Sequence, residues 1–94
     1  MKEYYKVSLS CKARKMATKL PAHVRGKFED LIEDLREKGP VQKDWMNFAV
    51  FYRGNYHCHL DRRWAVCWRW EKGTPDIEIY YAGSREGTPC DGRG

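Results

Sequence analysis

Within the stretch YHCHLDRRWAVCWRW, residues 56 to 70, two imidazoles and three guanidinium groups crowd into one short segment. His57 and His59 are two positions apart, so on a strand both point to the same face, while Tyr56, Cys58 and Leu60 point to the other. The following run splits in the same way. Trp64, Val66, Trp68 and Trp70 form an apolar row, and Arg63, Ala65, Cys67 and Arg69 form the opposite one. A hairpin pairing Leu60 with Trp64 puts both apolar rows on one side and leaves His57, His59, Arg63 and Arg69 on the other. Imidazole exchanges a proton near neutral pH, and guanidinium forks onto phosphate oxygens. Together they suit work on a phosphodiester. A metal is the competing chemistry for His57 and His59, but zinc takes about three or four protein ligands and no further ligand is marked nearby. No metal and no cofactor are expected.

These residues need a sheet to hold them, and the chain supplies one. EYYKVSL alternates like a first strand. Ser8 or Ser10 can cap a short helix carrying Ala13, Met16, Ala17 and Leu20, which Pro21 ends. A second helix places Val24, Phe28, Leu31, Ile32 and Leu35 on one stripe, opposite Lys27, Glu29, Asp30 and Glu33, and stops at Gly39 and Pro40. Residues 40 to 55 read as a loop leading into a short strand. YHCHL, RWAVCWRWE and DIEIYYAG follow as strands joined by connections short enough for hairpins. The predicted architecture is α+β: one sheet with both helices on one face and the other face open. The tryptophan row therefore belongs to the core rather than to a base-stacking platform.

At 94 residues the chain fits one domain, taken as residues 1–90 with 91–94 a flexible tail. No apolar run approaches a membrane span and the N-terminus does not read as a secretory signal, so cytoplasm is the expected location. Cys11, Cys58, Cys67 and Cys90 form no C-x-x-C pair and are expected as free thiols. The net charge of +5 favours an anionic partner, either nucleic acid or an acidic protein.

The order of elements, YHCHL followed closely by RRWAVCWRW, and the ending IEIYYAGSRE resemble the RelE/ParE superfamily of bacterial toxins of toxin–antitoxin systems. The resemblance covers most of residues 3 to 90. In its RelE branch it implies a ribosome-dependent endoribonuclease that cuts messenger RNA and is silenced by a cognate antitoxin. In its ParE branch it implies a gyrase inhibitor without cleavage residues; a nucleic-acid-binding domain that cuts nothing is the third possibility. Carried onto this chain, the RelE pattern places His57 and His59 where the family has two basic residues, Arg63 after the hairpin turn with Arg62 beside it, and Arg85 in the last strand. These imply a proton acceptor and donor from His57 and His59, and charge stabilisation from Arg63 and Arg85. Arg53, Arg62 and Arg69 are the expected RNA contacts. A tyrosine often found near the family's C-terminus has no counterpart.

Overall fold

The computed structural model describes residues 4–51 and 54–88. In chain order the elements are β1 (Lys6–Leu9), α1 (Cys11–Ala17), α2 (Ala22–Lys38), β2 (Ala49–Phe51), β3 (Asn55–His59), β4 (Trp64–Trp70) and β5 (Asp76–Ser84), followed by a 3₁₀ turn, Arg85–Gly87. The expected α+β architecture is the one observed. Of the two candidate caps it is Ser10 that serves α1, its hydroxyl accepting from the Ala13 amide at 3.1 Å. Gly39 closes α2 with φ of 93°, and a Cβ there would lie 2.8 Å from the Tyr5 ring, so this position requires glycine on two grounds.

The five strands form one sheet in the order β1-β5-β4-β3-β2. From β2 to β5 it is an antiparallel meander, as expected from the short connections. β1 pairs parallel to β5, which places the last of these strands between the first and the fourth. The β3–β4 hairpin closes through Leu60 N–H donating to the Trp64 carbonyl at 2.7 Å, the pairing the apolar alternation demands. The Asp61 carboxylate accepts from the Arg63 and Trp64 amides, at 2.9 and 3.1 Å, and holds the turn.

The core lies between the helices and one sheet face. Val24, Phe28, Leu31 and Leu35 of α2 meet Tyr56, Cys58, Leu60, Val66, Trp68, Ile77 and Ile79. Trp68 is fully buried, stacks with Phe48 and Tyr56, and donates its indole N–H to the Pro40 carbonyl at 3.1 Å. The tryptophan is thus structural, and its polar atom is satisfied as burial requires.

The other face is less open than the alternation implies. Cys67 and Tyr81 form a second buried cluster there, with Met16, Phe51 and Tyr80 packed against it. The cause is a register shift: Cys67 faces Tyr81 but Trp68 faces Ile79, so Tyr80 is an extra residue in β5. The bulge reverses the alternation beyond it. Ile77 and Ile79 face the helices, yet Tyr81 and Gly83 turn to the histidine side. β1 pairs only with Asp76–Ile79 of β5, and α1 follows it directly, so the Met16 methyl reaches Gly83, where a Cβ would lie 2.7 Å from it.

The free-thiol expectation is corrected at one position. Cys11 and Cys58 are free, but Cys67 is disulfide-bonded. Pairing depends on spatial approach of Cβ atoms, which spacing along a chain does not disclose. Cys90 and the 91–94 tail lie outside the described residues. Among the described residues no helix is long and apolar enough to cross a membrane.

Candidate functional site

β3 presents the two histidines side by side. Their rings meet edge to face with centroids 4.9 Å apart, and the Phe51 ring leans on His57 from β2 at 5.5 Å. Strand pairing sets this out: Ala49 lies opposite His57, His57 opposite Cys67, and His59 opposite Ala65. Small residues at Ala65 and Gly83 keep the floor beside His59 low. The histidines are not loose surface groups, since His59 is only 9% exposed and His57 is half-buried.

Burial is the main reason both imidazoles sit below their ordinary pKa, because it disfavours the charged ring. The neighbouring His59 lowers His57 further, and the Arg85 guanidinium lowers His59. Lowered from 6.5, both rings are predominantly uncharged at neutral pH. The Nδ1 of His57 is buried and has no hydrogen-bond partner among the described residues, which leaves Nε2 as the exchangeable position of this ring.

A cleft of about 530 Å³ opens at the start of β4 and the end of β5, lined by Arg62, Arg63, Trp64, Ser84, Arg85 and Glu86. The Arg85 amide donates to the Arg63 carbonyl at 2.8 Å, tying the 3₁₀ turn to the start of β4. The Tyr81 hydroxyl donates to the Ser84 carbonyl and fixes the same corner. Among the described residues no carboxylate forms an ion pair with Arg62, Arg63 or Arg85. Guanidinium groups without a carboxylate partner among the described residues, set beside two uncharged imidazoles, are chemically suited to holding phosphate oxygens and exchanging protons.

The structure thus brings His57, His59, Arg63 and Arg85 into one neighbourhood, with Arg62 on the same cleft. Arg69 stands apart. It lies on the histidine side of β4, but its Nε is 3.4 Å from Glu78 and its guanidinium sits 4.4 Å over the Tyr80 ring. Arg53 lies outside the described residues. No group of three or more His, Cys, Asp or Glu that could hold a metal occurs among the described residues.

Sequence reasoning missed Asn47. Its Nδ2 lies 2.8 Å from His59 Nδ1, and it is the one non-glycine with positive φ among the described residues, at 53°. The type of residue was a signal, since asparagine tolerates this conformation, but its partner twelve positions on was not legible.

No protein-family model and no curated protein matches this chain. Solved structures do. A chain of the archaeal RelE–RelB complex from Pyrococcus horikoshii OT3 superposes with a TM-score of 0.72 at 18% identity, over 89% of this chain and 98% of that one. The isolated E. coli RelE toxin gives 0.69 at 14% identity, over 90% and 88%. A chain of the E. coli DinJ–YafQ toxin–antitoxin complex gives 0.68 at 12% identity, over 87% and 93%. At these identities the likeness is one of fold.

Proposed function

From the RelE/ParE-like toxin fold that this chain adopts, we propose that it is the toxin of a toxin–antitoxin pair and cleaves messenger RNA on the ribosome. The observation that carries the reading is the joining of two neutral, touching imidazoles to a cleft lined by Arg62, Arg63 and Arg85. In the reaction, one histidine takes the proton of a ribose 2′-hydroxyl as its oxygen attacks the adjacent phosphorus. The bond to the 5′-oxygen breaks, the other histidine protonates that oxygen, and the products are a 2′,3′-cyclic phosphate and a free 5′-hydroxyl. Arg63 and Arg85 stabilise the charge that accumulates on the phosphorane oxygens. The cleft is partly open to solvent, and in this reading in-line placement of the RNA comes from the ribosome.

An antitoxin partner follows from the same reading, and complementarity to a chain of net charge +5 calls for an acidic or mixed-charge one. Co-expression with the adjacent gene product tests it. A complex that relieves growth arrest is expected; unhindered growth of cells making the protein alone would count against a toxin.

Cleavage is tested with messenger RNA on programmed ribosomes, the new ends being examined for cyclic phosphate. The double variant His57→Ala/His59→Ala is expected to bind and not cut. Undiminished cutting by that variant removes the histidines from the mechanism, and binding without cutting by the unaltered protein favours a non-catalytic nucleic-acid-binding role.

A further inference from the structure

Asn47 sits at the end of a loop that the core holds on several sides. The buried side chain of Gln42 donates to the Gly39 carbonyl at 2.7 Å and to the Asp34 carbonyl at 3.1 Å. The Trp45 indole donates to the Asp34 carboxylate at 2.8 Å, and Phe48 stacks on Tyr56 and Trp68. Between these anchors the Met46 carbonyl accepts the His59 backbone N–H at 2.8 Å, and Asn47 takes up its left-handed backbone with its side chain on the His59 ring. The loop meets His59 twice, once at the backbone and once at Nδ1.

We infer that Asn47 is a positioning residue for His59: its amide nitrogen, which can only donate, fixes the neutral ring with its proton on Nε2 and makes His59 the proton donor of the histidine pair. A ring nitrogen that accepts from an amide keeps its lone pair there, so the neutral ring carries its hydrogen on the other nitrogen. With Nδ1 occupied and Nε2 protonated, His59 has no free lone pair with which to take the 2′-hydroxyl proton. The acceptor is therefore His57, whose Nε2 is the position left for exchange; the imidazolate left when His59 gives up its Nε2 proton lies beside the Arg85 charge and regains a proton from the His57 imidazolium, so both rings return to neutral.

Protonating Nδ1 of His59 would set one N–H against another, and this acts in the same direction as burial and the Arg85 charge, the two causes that lower its pKa. The groups facing the ring are His57 from β3 and Arg85 from the turn after β5; Ala65 and Gly83 across the sheet bring no charge. The catalytic role rests on the nuclease reading, but the tautomer is a property of the free protein.

The experiment uses the full chain, made by cell-free synthesis with ¹⁵N-labelled histidine, and reads the imidazole nitrogens by long-range ¹H–¹⁵N spectra across pH. Asn47→Gly keeps the left-handed backbone and removes the amide. Asn47→Asp keeps size and backbone tolerance but presents only acceptors. The unaltered protein is expected to show His59 protonated on Nε2, Asn47→Gly a mixture of tautomers, and Asn47→Asp a ring protonated on Nδ1 that titrates at higher pH. On ribosomes, Asn47→Asp is expected to cut about 10² more slowly or worse, as a misplaced imidazole proton does elsewhere. His59 protonated on Nδ1 in the unaltered protein, or a tautomer indifferent to both substitutions, overturns the assignment. Reversed tautomer with undiminished cutting overturns the donor role. If the unaltered protein cuts no RNA, the nuclease reading fails while the tautomer measurement still decides what Asn47 does.

Discussion

Arg85 has two separable effects on the site, and removing it should reveal both. Its side chain lines the cleft beside Arg62 and Arg63, and its charge lowers the pKa of His59. As a preorganised donor to the phosphorane its loss is expected to slow cleavage by about 10²–10³, equivalent to about 2.7–4 kcal/mol of transition-state stabilisation. The electrostatic effect has a definite sign. A positive neighbour disfavours the imidazolium, so Arg85→Ala should move the His59 titration up toward its ordinary value of 6.5, short of it because burial remains the larger cause. Arg85→Lys separates the two: it keeps the charge and loses the planar fork, so the His59 titration should stay near that of the unaltered protein while the rate falls. Single-turnover cleavage on programmed ribosomes measures the first effect, and NMR titration of His59 measures the second. Cleavage unaffected by Arg85→Ala refutes the role of the cleft in the reaction. A His59 titration unmoved by Arg85→Ala refutes the electrostatic contact between them.

His57 and His59, held below their unfolded pKa, make stability fall with acid: the unfolded chain binds more protons from about pH 6.5 downward, so the contribution is intact above that pH and lost as pH falls through the folded values. Urea midpoints at pH 7.5 and 5.5 should therefore differ less in His57→Gln/His59→Gln than in the unaltered protein. Trp68→Ala is expected to destabilise by about 3–5 kcal/mol, because a fully buried ring is lost and the Pro40 carbonyl loses its donor. Trp68→Phe should restore most of the stacking and less of the loss, read by equilibrium unfolding. Gly39→Ala is expected to destabilise by about 1–3 kcal/mol from backbone strain, with the Tyr5 clash added. Gly73→Ala, with the same φ of 93° and open space around its Cβ, should show the strain alone in thermal unfolding.

Local periodicity carried much of the fold. The hairpin pairing Leu60 with Trp64, the core face of the tryptophan row and the stripe of α2 are all consequences of alternation or of 3.6-residue spacing, which neighbours along the chain display. Four features have no such signature. The parallel pairing of β1 with β5 joins segments about seventy residues apart. The extra residue at Tyr80 breaks the alternation that a regular strand would have kept, and it was this break that turned Tyr81 toward the histidines. The disulfide at Cys67 and the contact of Asn47 with His59 depend on where distant side chains meet. For the site, residue types pointed to His57, His59, Arg63 and Arg85. Composition marked Arg69 equally, although its guanidinium is taken up by Glu78 and Tyr80.

The position of β5 between β1 and β4 bears on how the protein comes to be made. In chain order β1, α1, α2 and the β2–β4 meander all precede β5, and the sheet neighbour of β1 is Asp76–Ile79 of that last strand. Without β5 the edges of β1 and β4 that it pairs are left without that partner, and the entropy of closing the long loop is offset only by the pairing β5 makes with both. Insertion of β5 also delivers the bulge and, immediately after it, Arg85. Joining β1 to the sheet and bringing Arg85 to the cleft thus both require β5, and a chain ending before that strand has His57 and His59 without Arg85.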